Sequence, residues 1–342
     1  MRLLIIGGGV FLGRALLDAA LRQGHRVSVF NRGRSRRDWP AGVEAITGER
    51  RADAAALAGR GPWDAVFDTC GYCPADVLPT AAALAEVGRY VFVSSVSAYA
   101  STARPGTTES DALAGAEGLA ADAAVSAETY GPLKAECERV LGQALGDRLL
   151  VIRPGLIVGP GDVSGRFSYW PWRAAAGGSM LVPAAPPGAA LQVIDVRDLA
   201  EWMIALAQRG IGGSLNAIGP LDAPALGWDE LVAACQRGAH AFGHEPARAV
   251  RVSEALLRAQ GVAPWTELPL WLPADDPEFA GFNAIALGRA RSLGLRTRPL
   301  DDTVQAVLAE GLPAPGDKRL AGRLTPEREA ALLAAAAAAG SG

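Results

Sequence analysis

Lysine is almost missing from this chain. Of its 33 basic residues only Lys134 and Lys318 are lysine, and the rest are arginine. A position that keeps lysine on that background points to a need for a compact ammonium with an adjustable pKa, which a guanidinium cannot supply. Cysteine is scarce too. Four in 342 residues are too few to staple a chain of this length, which places it in a reducing cytoplasm. Basic excess is lacking, since the formal net charge is −3. That argues against nucleic acid or a membrane surface as a general partner. Long apolar runs are lacking as well. The opening stretch Met1–Ile6 breaks at three glycines, too soon for a signal segment or a membrane span. Later runs are all interrupted by charge, Gly or Pro. What remains is the composition of a globular protein, half hydrophobic and a fifth charged. The length accommodates one large α/β domain plus a smaller lobe.

Residues 2–6 read as a buried strand. Gly7-Gly8-Gly9-Val10-Phe11-Leu12-Gly13 follows, and then an amphipathic helix over 14–23. Strand, glycine turn and helix in that order are the context in which a glycine motif carries meaning. The glycines allow a tight turn and a close approach to a pyrophosphate, and the helix N-terminus offers free N–H groups and positive dipole. The second strand, 26–30, runs into Asn31-Arg32-Gly33-Arg34. A dinucleotide-binding fold meets the adenosine ribose at this point. An acidic residue there would favour NAD, whereas Asn31, Arg32 and Arg34 favour the 2′-phosphate of NADP, with NAD as the alternative.

The alternation continues with strands near 43–46, 64–68, 89–94 and 149–153 and helices near 53–58, 75–86 and 130–145. It predicts an α/β fold, a doubly wound parallel sheet of Rossmann type. Ligands bind at the carboxyl ends of such strands. The residues to inspect are therefore Asp68-Thr69-Cys70-Gly71, Ser94-Ser95-Val96-Ser97 and Arg153-Pro154-Gly155. Thr69, Cys70, Gly71, Ser94, Pro154 and Gly155 join the glycine turn as candidate cofactor-binding residues. The Ala-, Gly- and Ser-rich stretch 100–128 reads as a long functional excursion. Pro132 is placed at the start of the following helix, where its missing N–H is harmless. Tyr130 then stands at the helix entrance with Lys134 one turn on, on the same face. An ammonium held there lowers the phenol pKa and makes Tyr130 usable in proton transfer.

Beyond about 155 the pattern changes. Pro160, Pro171, Pro183, Pro186 and Pro187 break it, and tryptophans gather at 170, 172, 202, 228, 265 and 271. A strand is expected at 191–196 and helices at 197–208, 228–241, 253–260, 286–292 and 301–310. The dinucleotide-binding domain is assigned to 1–155, with about 190–218 returning to it. A smaller, mostly C-terminal α/β substrate lobe takes 156–315, and an Ala-rich tail 316–342. Of the tryptophans, those near 170 are expected to touch substrate first.

These residues resemble the short-chain dehydrogenase/reductase superfamily, in its extended or atypical branch labelled NAD-dependent epimerase/dehydratase. The resemblance runs from Arg2 to about Leu312. It rests on the glycine turn, on Tyr90-Val91-Phe92-Val93-Ser94-Ser95 with Val96-Ser97-Ala98-Tyr99, on Tyr130 with Lys134, on Arg153-Pro154-Gly155 and on Val193-Ile194-Asp195-Val196-Arg197-Asp198. It implies that Tyr130 is the proton donor or acceptor. Lys134 would lower its pKa and hold the nicotinamide ribose, and Ser95 would bond the substrate oxygen. It also implies hydride transfer at a nicotinamide, a small-molecule substrate and a homodimer through helices flanking the sheet. Val10 stands where the family's middle glycine would be. Val96 and Ser97 stand where sugar dehydratases carry acids, and the asparagine of nucleotide-sugar epimerases is missing after Arg153-Pro154-Gly155. These departures favour reduction of a C=O or C=N group over sugar epimerisation. The alternative of another class is a non-catalytic NADP sensor or RNA-binding protein.

Cys70-Gly71-Tyr72-Cys73-Pro74 has the spacing of a redox dithiol, but a structural or cofactor-lining role fits its place at a strand end better. His240 and His244 have no third partner in a recognisable metal pattern, so no metal is expected. Asp195 and Asp198 read as carboxylates capping a helix start.

Overall fold

The structure, a computed structural model, describes residues 1–36, 38–186, 189–221 and 225–339. Pro187 and the last three residues of the Ala-rich tail lie outside the described residues.

β1 (Arg2–Ile6) enters the turn, α1 (Phe11–Arg22) leaves it, and β2 (Arg26–Asn31), β3 (Glu44–Thr47) and β4 (Ala65–Asp68) follow. Next come α2 (Pro74–Ala83), β5 (Arg89–Val93), α3 (Ala127–Leu145) and β6 (Leu149–Pro154). The helix expected at 53–58 is a single 3-10 turn at Ala54–Leu57. β7 (Leu156–Val158), α4 (Tyr169–Ala175), β8 (Ser179–Ala184), β9 (Val193–Asp195), α5 (Val196–Gln208) and β10 (Gly213–Ala217) lead into the second half. That half holds α6 (Trp228–Ala241), β11 (Arg248–Ser253), α7 (Glu254–Ala259), α8 (Gly288–Ser292), α9 (Leu300–Leu308) and α10 (Pro326–Ala339).

Seven strands form one parallel sheet in the order β10-β6-β5-β4-β1-β2-β3. The inner strands β1, β4, β5 and β6 are covered on both faces, so they read as largely apolar runs and not as alternating ones. In β1, Leu3 and Ile5 point into a core shared with α1 and α5, through Leu16, Leu17, Leu199 and Met203. Leu4 and Ile6 point the other way, onto Val77, Cys137 and Leu141 of α2 and α3. The chain order reverses between β1 and β4, and the strand ends there open the crevice where ligands of such sheets bind.

Several elements escaped the sequence reading. β10 is Gly213-Ser-Leu-Asn-Ala, with little apolar content, yet it pairs with β6 from Gly213↔Leu150 to Ala217↔Pro154. The strand expected at 191–196 is only Val193–Asp195, and it pairs with β7 outside the main sheet. β8 and β11 form a second small parallel pair. They pack with α4, α6 and α9 around a separate core that includes Trp170, Trp228, Leu231, Val304 and Val307.

Candidate active site

The glycine turn makes a cradle that side chains would fill. Gly7 and Gly8 have φ of +113° and +78°, conformations that L-residues avoid. A Cβ on Gly7 would stand 2.5 Å from Thr69 Oγ1, and one on Gly13 would stand 2.5 Å from the backbone of Gly8. Close contact between α1 and the turn therefore needs Gly13. Val10 ends the turn as the N-cap of α1 with no side-chain cap, so the first N–H groups of α1 stay available. Val10 is 51% exposed. These features fit a dinucleotide pyrophosphate at the helix N-terminus.

A cavity of about 590 Å³ runs from this cradle across the strand ends. It is lined by all the glycine-turn candidates Gly7, Gly8, Gly9, Val10, Phe11, Leu12 and Gly13, by Asn31, Arg32 and Arg34, and by Thr69, Cys70, Ser94, Ser95, Tyr130, Lys134, Pro154 and Gly155. Gly71 is not among the lining residues; a Cβ there would meet Val77 and Phe92 in the core, and it contributes through its carbonyl. Asn31 is turned inward. Its Nδ2 donates to Gly7 O at 2.9 Å and its Oδ1 accepts from Gly33 N at 2.8 Å, so it shapes the turn. Arg32 lies 3.8 Å from Glu49 in a largely exposed pair. Ser35, Arg36, Glu49 and Arg50 also line the cavity and escaped the sequence reading.

A buried network supports the loop after β4. Arg50 donates to both oxygens of the fully buried Asp68, at 2.9 and 2.6 Å, and Tyr90 Oη donates to Asp68 at 2.8 Å. Burial opposes the Asp68 charge, but the guanidinium and these hydrogen bonds outweigh it and hold the carboxyl below its usual range. Cys70 sits on this network. Burial pushes its thiol up to about 11, so it is a poor nucleophile at neutral pH. The thiol of Cys73 is also raised by burial, and both cysteines are free.

The opposite wall is built on α3. The helix starts at Ala127, with Ser126 and Thr129 in a reciprocal capping box at 3.2 and 2.8 Å. Pro132 therefore lies inside α3 and not at its start, which corrects the expectation. Its missing N–H leaves the carbonyl of Glu128 without the usual partner. Gly131 lets the helix approach the turn after β5, because a Cβ there would overlap the carbonyl oxygen of Ser97. This places the half-buried Tyr130 beside Ser95, whose hydroxyl also accepts from Ser97 N at 3.1 Å. Burial raises the Tyr130 phenol, while the Ser95 hydroxyl and the positive charge of Arg166 pull it back. Lys134, one turn on, lines the same cavity. Its ammonium donates to Gly71 O at 2.7 Å and Val93 O at 2.6 Å and stands over the rings of Phe92 and Tyr72. Its burial lowers its pKa to about 8.

Further candidates have partners of their own. Ser94 donates to Glu138 at 2.5 Å, and Glu138 pairs with the buried Arg153 at 2.6 Å. Arg153 also donates to Tyr99 Oη at 3.0 Å, which in turn donates to Asn216. Asp195 caps α5 through Arg197 N. Asp198 instead holds Arg298, at 2.8 Å to its backbone N and 2.7 Å to Nε. Trp170, expected near substrate, is fully buried and donates from Nε1 to Pro269 O at 3.2 Å.

A parallel sheet with this strand order, a glycine cradle and a cavity across its switch point define a dinucleotide-binding fold of Rossmann type. Residues 3–218 match the NAD dependent epimerase/dehydratase family. The chain belongs to that family. It is 33% identical over 185 residues to the 2-alkyl-3-oxoalkanoate reductase of Stenotrophomonas maltophilia (strain K279a), covering 47% of this chain and 52% of the relative. The chain thus spans about half the length of that curated relative. Among solved structures, the Thermus thermophilus UDP-glucose 4-epimerase in complex with NAD is similar, with TM-score 0.57 and 18% identity, covering 90% of this chain and 98% of that one. The Thermotoga maritima UDP-glucose 4-epimerase with UDP-glucose gives TM-score 0.60 and 14% identity, covering 90% and 98%. At these identities the likeness concerns the fold. Among the described residues no helix is long and apolar enough to cross a membrane.

Proposed function

We propose that the protein is an NADP-preferring reductase of a C=O or C=N group on a small molecule, with Tyr130 as general acid. The observation that carries this is the position of Tyr130, against Ser95 on the cavity wall and across from the glycine cradle. The nicotinamide supplies or accepts the hydride when it is bound. Ser95 donates a hydrogen bond to the substrate oxygen, and Tyr130 gives that oxygen its proton as the carbon is reduced. Lys134 uses two of its N–H groups on Gly71 and Val93 and lines the cavity, which leaves a third N–H for a ribose hydroxyl. Arg32, Arg34 and Arg36 at the adenosine end support a 2′-phosphate, against the single carboxylate of Glu49. The name of the Stenotrophomonas relative supports reduction of a carbonyl.

The test is turnover of NADPH and NADH on a panel of 3-oxo acids, ketones and imines. Sugar nucleotides run alongside, since the family is named for epimerases and dehydratases. Tyr130→Phe is expected to lower turnover about 10²–10⁴-fold and keep NADPH binding. Full activity in that variant would end the proposal, and a salt-dependent RNA shift without turnover would favour the binding-protein alternative. The four free thiols fit a cytoplasmic setting. A homodimer through the helices flanking the sheet, where Leu78 of α2 is 42% exposed, is tested by sedimentation.

A further inference from the structure

Buried polar atoms normally find partners, and the few exceptions need a reason. Among the described residues six buried side-chain nitrogen or oxygen atoms have none, and five of them belong to Asp162, Arg166, Tyr169, Trp172 and Arg323. These five residues sit together. Four lie on the segment that runs into α4, and Arg323 reaches it from the tail by donating to Ser164 O at 2.8 Å. Asp162, Tyr169 and Trp172 are 3%, 4% and 4% exposed. Asp162 uses one oxygen for Ser164 N at 2.7 Å and leaves the other free. The Arg166 guanidinium lies over the ring of Trp265, which is held at φ +62°. Among the described residues neither Arg166 nor Arg323 is taken up in an ion pair.

The cluster borders the site already described. Val163, beside Asp162, lines the main cavity, and the charge of Arg166 is felt by the Tyr130 phenol. Its chemistry is one-sided. Arg166 Nε, Arg323 Nε, Trp172 Nε1 and the Tyr169 hydroxyl are four donors, against one free carboxyl oxygen. Donors in excess, two of them the Nε–H groups of guanidiniums, call for an oxyanion; the terminal nitrogens of Arg323 are already engaged with Thr266 O and Ser164 O and fix its position. A carboxylate offers about four lone-pair sites, which matches four donors. A phosphate with three acceptor oxygens would leave lone pairs unmet.

We propose that Arg166 and Arg323, backed by Tyr169 and Trp172, bind a carboxylate of the substrate and so hold its carbonyl beside Tyr130. The inference rests on the reductase reading for the place of the reacting carbon. It makes the substrate class an oxo acid and assigns Arg166 and Arg323 as specificity-determining residues.

The probes are 3-oxooctanoate, its methyl ester and inorganic phosphate, titrated into the full chain with NADPH present. Binding is read by tryptophan fluorescence and turnover by loss of nicotinamide absorbance. The acid is expected to bind at least tenfold more tightly than the ester. R166M and R323M are each expected to cut that acid-over-ester preference about tenfold, while R139M, on the exposed side of α3, leaves it unchanged. Equal affinity for acid and ester overturns the proposal and leaves the cluster to buried water. So does a preference that survives in both variants, or tighter binding of phosphate than of the acid. If no carbonyl compound is turned over at all, the reductase reading fails, and the acid–ester difference in binding still decides this one. If a variant does not fold by circular dichroism, the wild-type comparison decides alone.

Discussion

The ammonium of Lys134 donates to the carbonyl of Gly71 at 2.7 Å, and so ties α3 to the loop after β4. The second bond, to Val93 O, ties the same helix to the end of β5. The lysine that a chain of arginines retains is thus a buried spacer between three elements of the cavity wall. Arginine is too long and forked to fill the place between the Phe92 and Tyr72 rings.

That burial has a pH signature. The pKa falls from 10.5 to about 8, so between those values the unfolded chain binds the proton and the folded one does not. The penalty for burying the charge is fully present below pH 8 and is relieved as pH rises toward 10.5. Relative to Lys134→Met, the wild type should gain on the order of 3 kcal/mol of unfolding free energy across that window. Denaturant unfolding of both proteins at stepped pH measures it, and a pH-independent difference would contradict the assignment.

Tyr130 has the opposite tendency. Burial raises its pKa above the ordinary phenol value, so the phenol keeps its proton through the neutral range. In the reductive direction kcat should stay flat through neutral pH and fall only at alkaline pH. In the oxidative direction, which needs the phenolate, it should rise with pH instead. Tyr130→Phe should lose about 10²–10⁴-fold in kcat in both directions. Matching pH profiles in the two directions would remove Tyr130 from the proton transfer.

Gly131 sets the distance between Tyr130 and Ser95. A methyl group there collides with Ser97 O, and backbone cannot move aside as a flexible side chain does. Gly131→Ala should cost about 1–3 kcal/mol by overpacking and should lower kcat more than it lowers cofactor affinity, because the glycine cradle lies on the other wall. Unfolding midpoints with NADPH titrations separate the two effects. An unchanged kcat would show that Tyr130 tolerates a shift of α3.

The fold was legible where the signal is local. Gly7 through Gly13 between two apolar segments announces a turn, and strands buried on both faces read as short apolar runs. Tyr130 and Lys134 were visible as a pair for the same reason, at one helical turn. Their partners were not. The Lys134 bonds go to carbonyls 63 and 41 residues away, and Arg50 meets Asp68 across 18 residues. Long-range pairing leaves no periodic trace. β10 was missed because burial beside β6, and not its own composition, makes Gly213–Ala217 a strand. Pro132 misled because proline marks helix starts on average, while the Ser126–Thr129 capping box ahead of it outweighs it here.

Trp170 tests the other misreading, in which one or two tryptophans, those near 170 first, were expected to meet substrate. Its ring is edge-on to Trp228 at 4.9 Å and to Tyr169 at 5.2 Å, with no exposed surface. Its contribution is to packing in the core under α4 and α6, where a large aromatic excludes water from a sizeable volume. Trp170→Ala leaves a cavity and an unpartnered Pro269 carbonyl, and should destabilise the protein by about 3–5 kcal/mol. NADPH affinity should stay within threefold, since the glycine cradle shares no packing with that core. Thermal unfolding and cofactor titration on the same preparation measure both. A variant of wild-type stability with a raised KM would return Trp170 to the substrate surface.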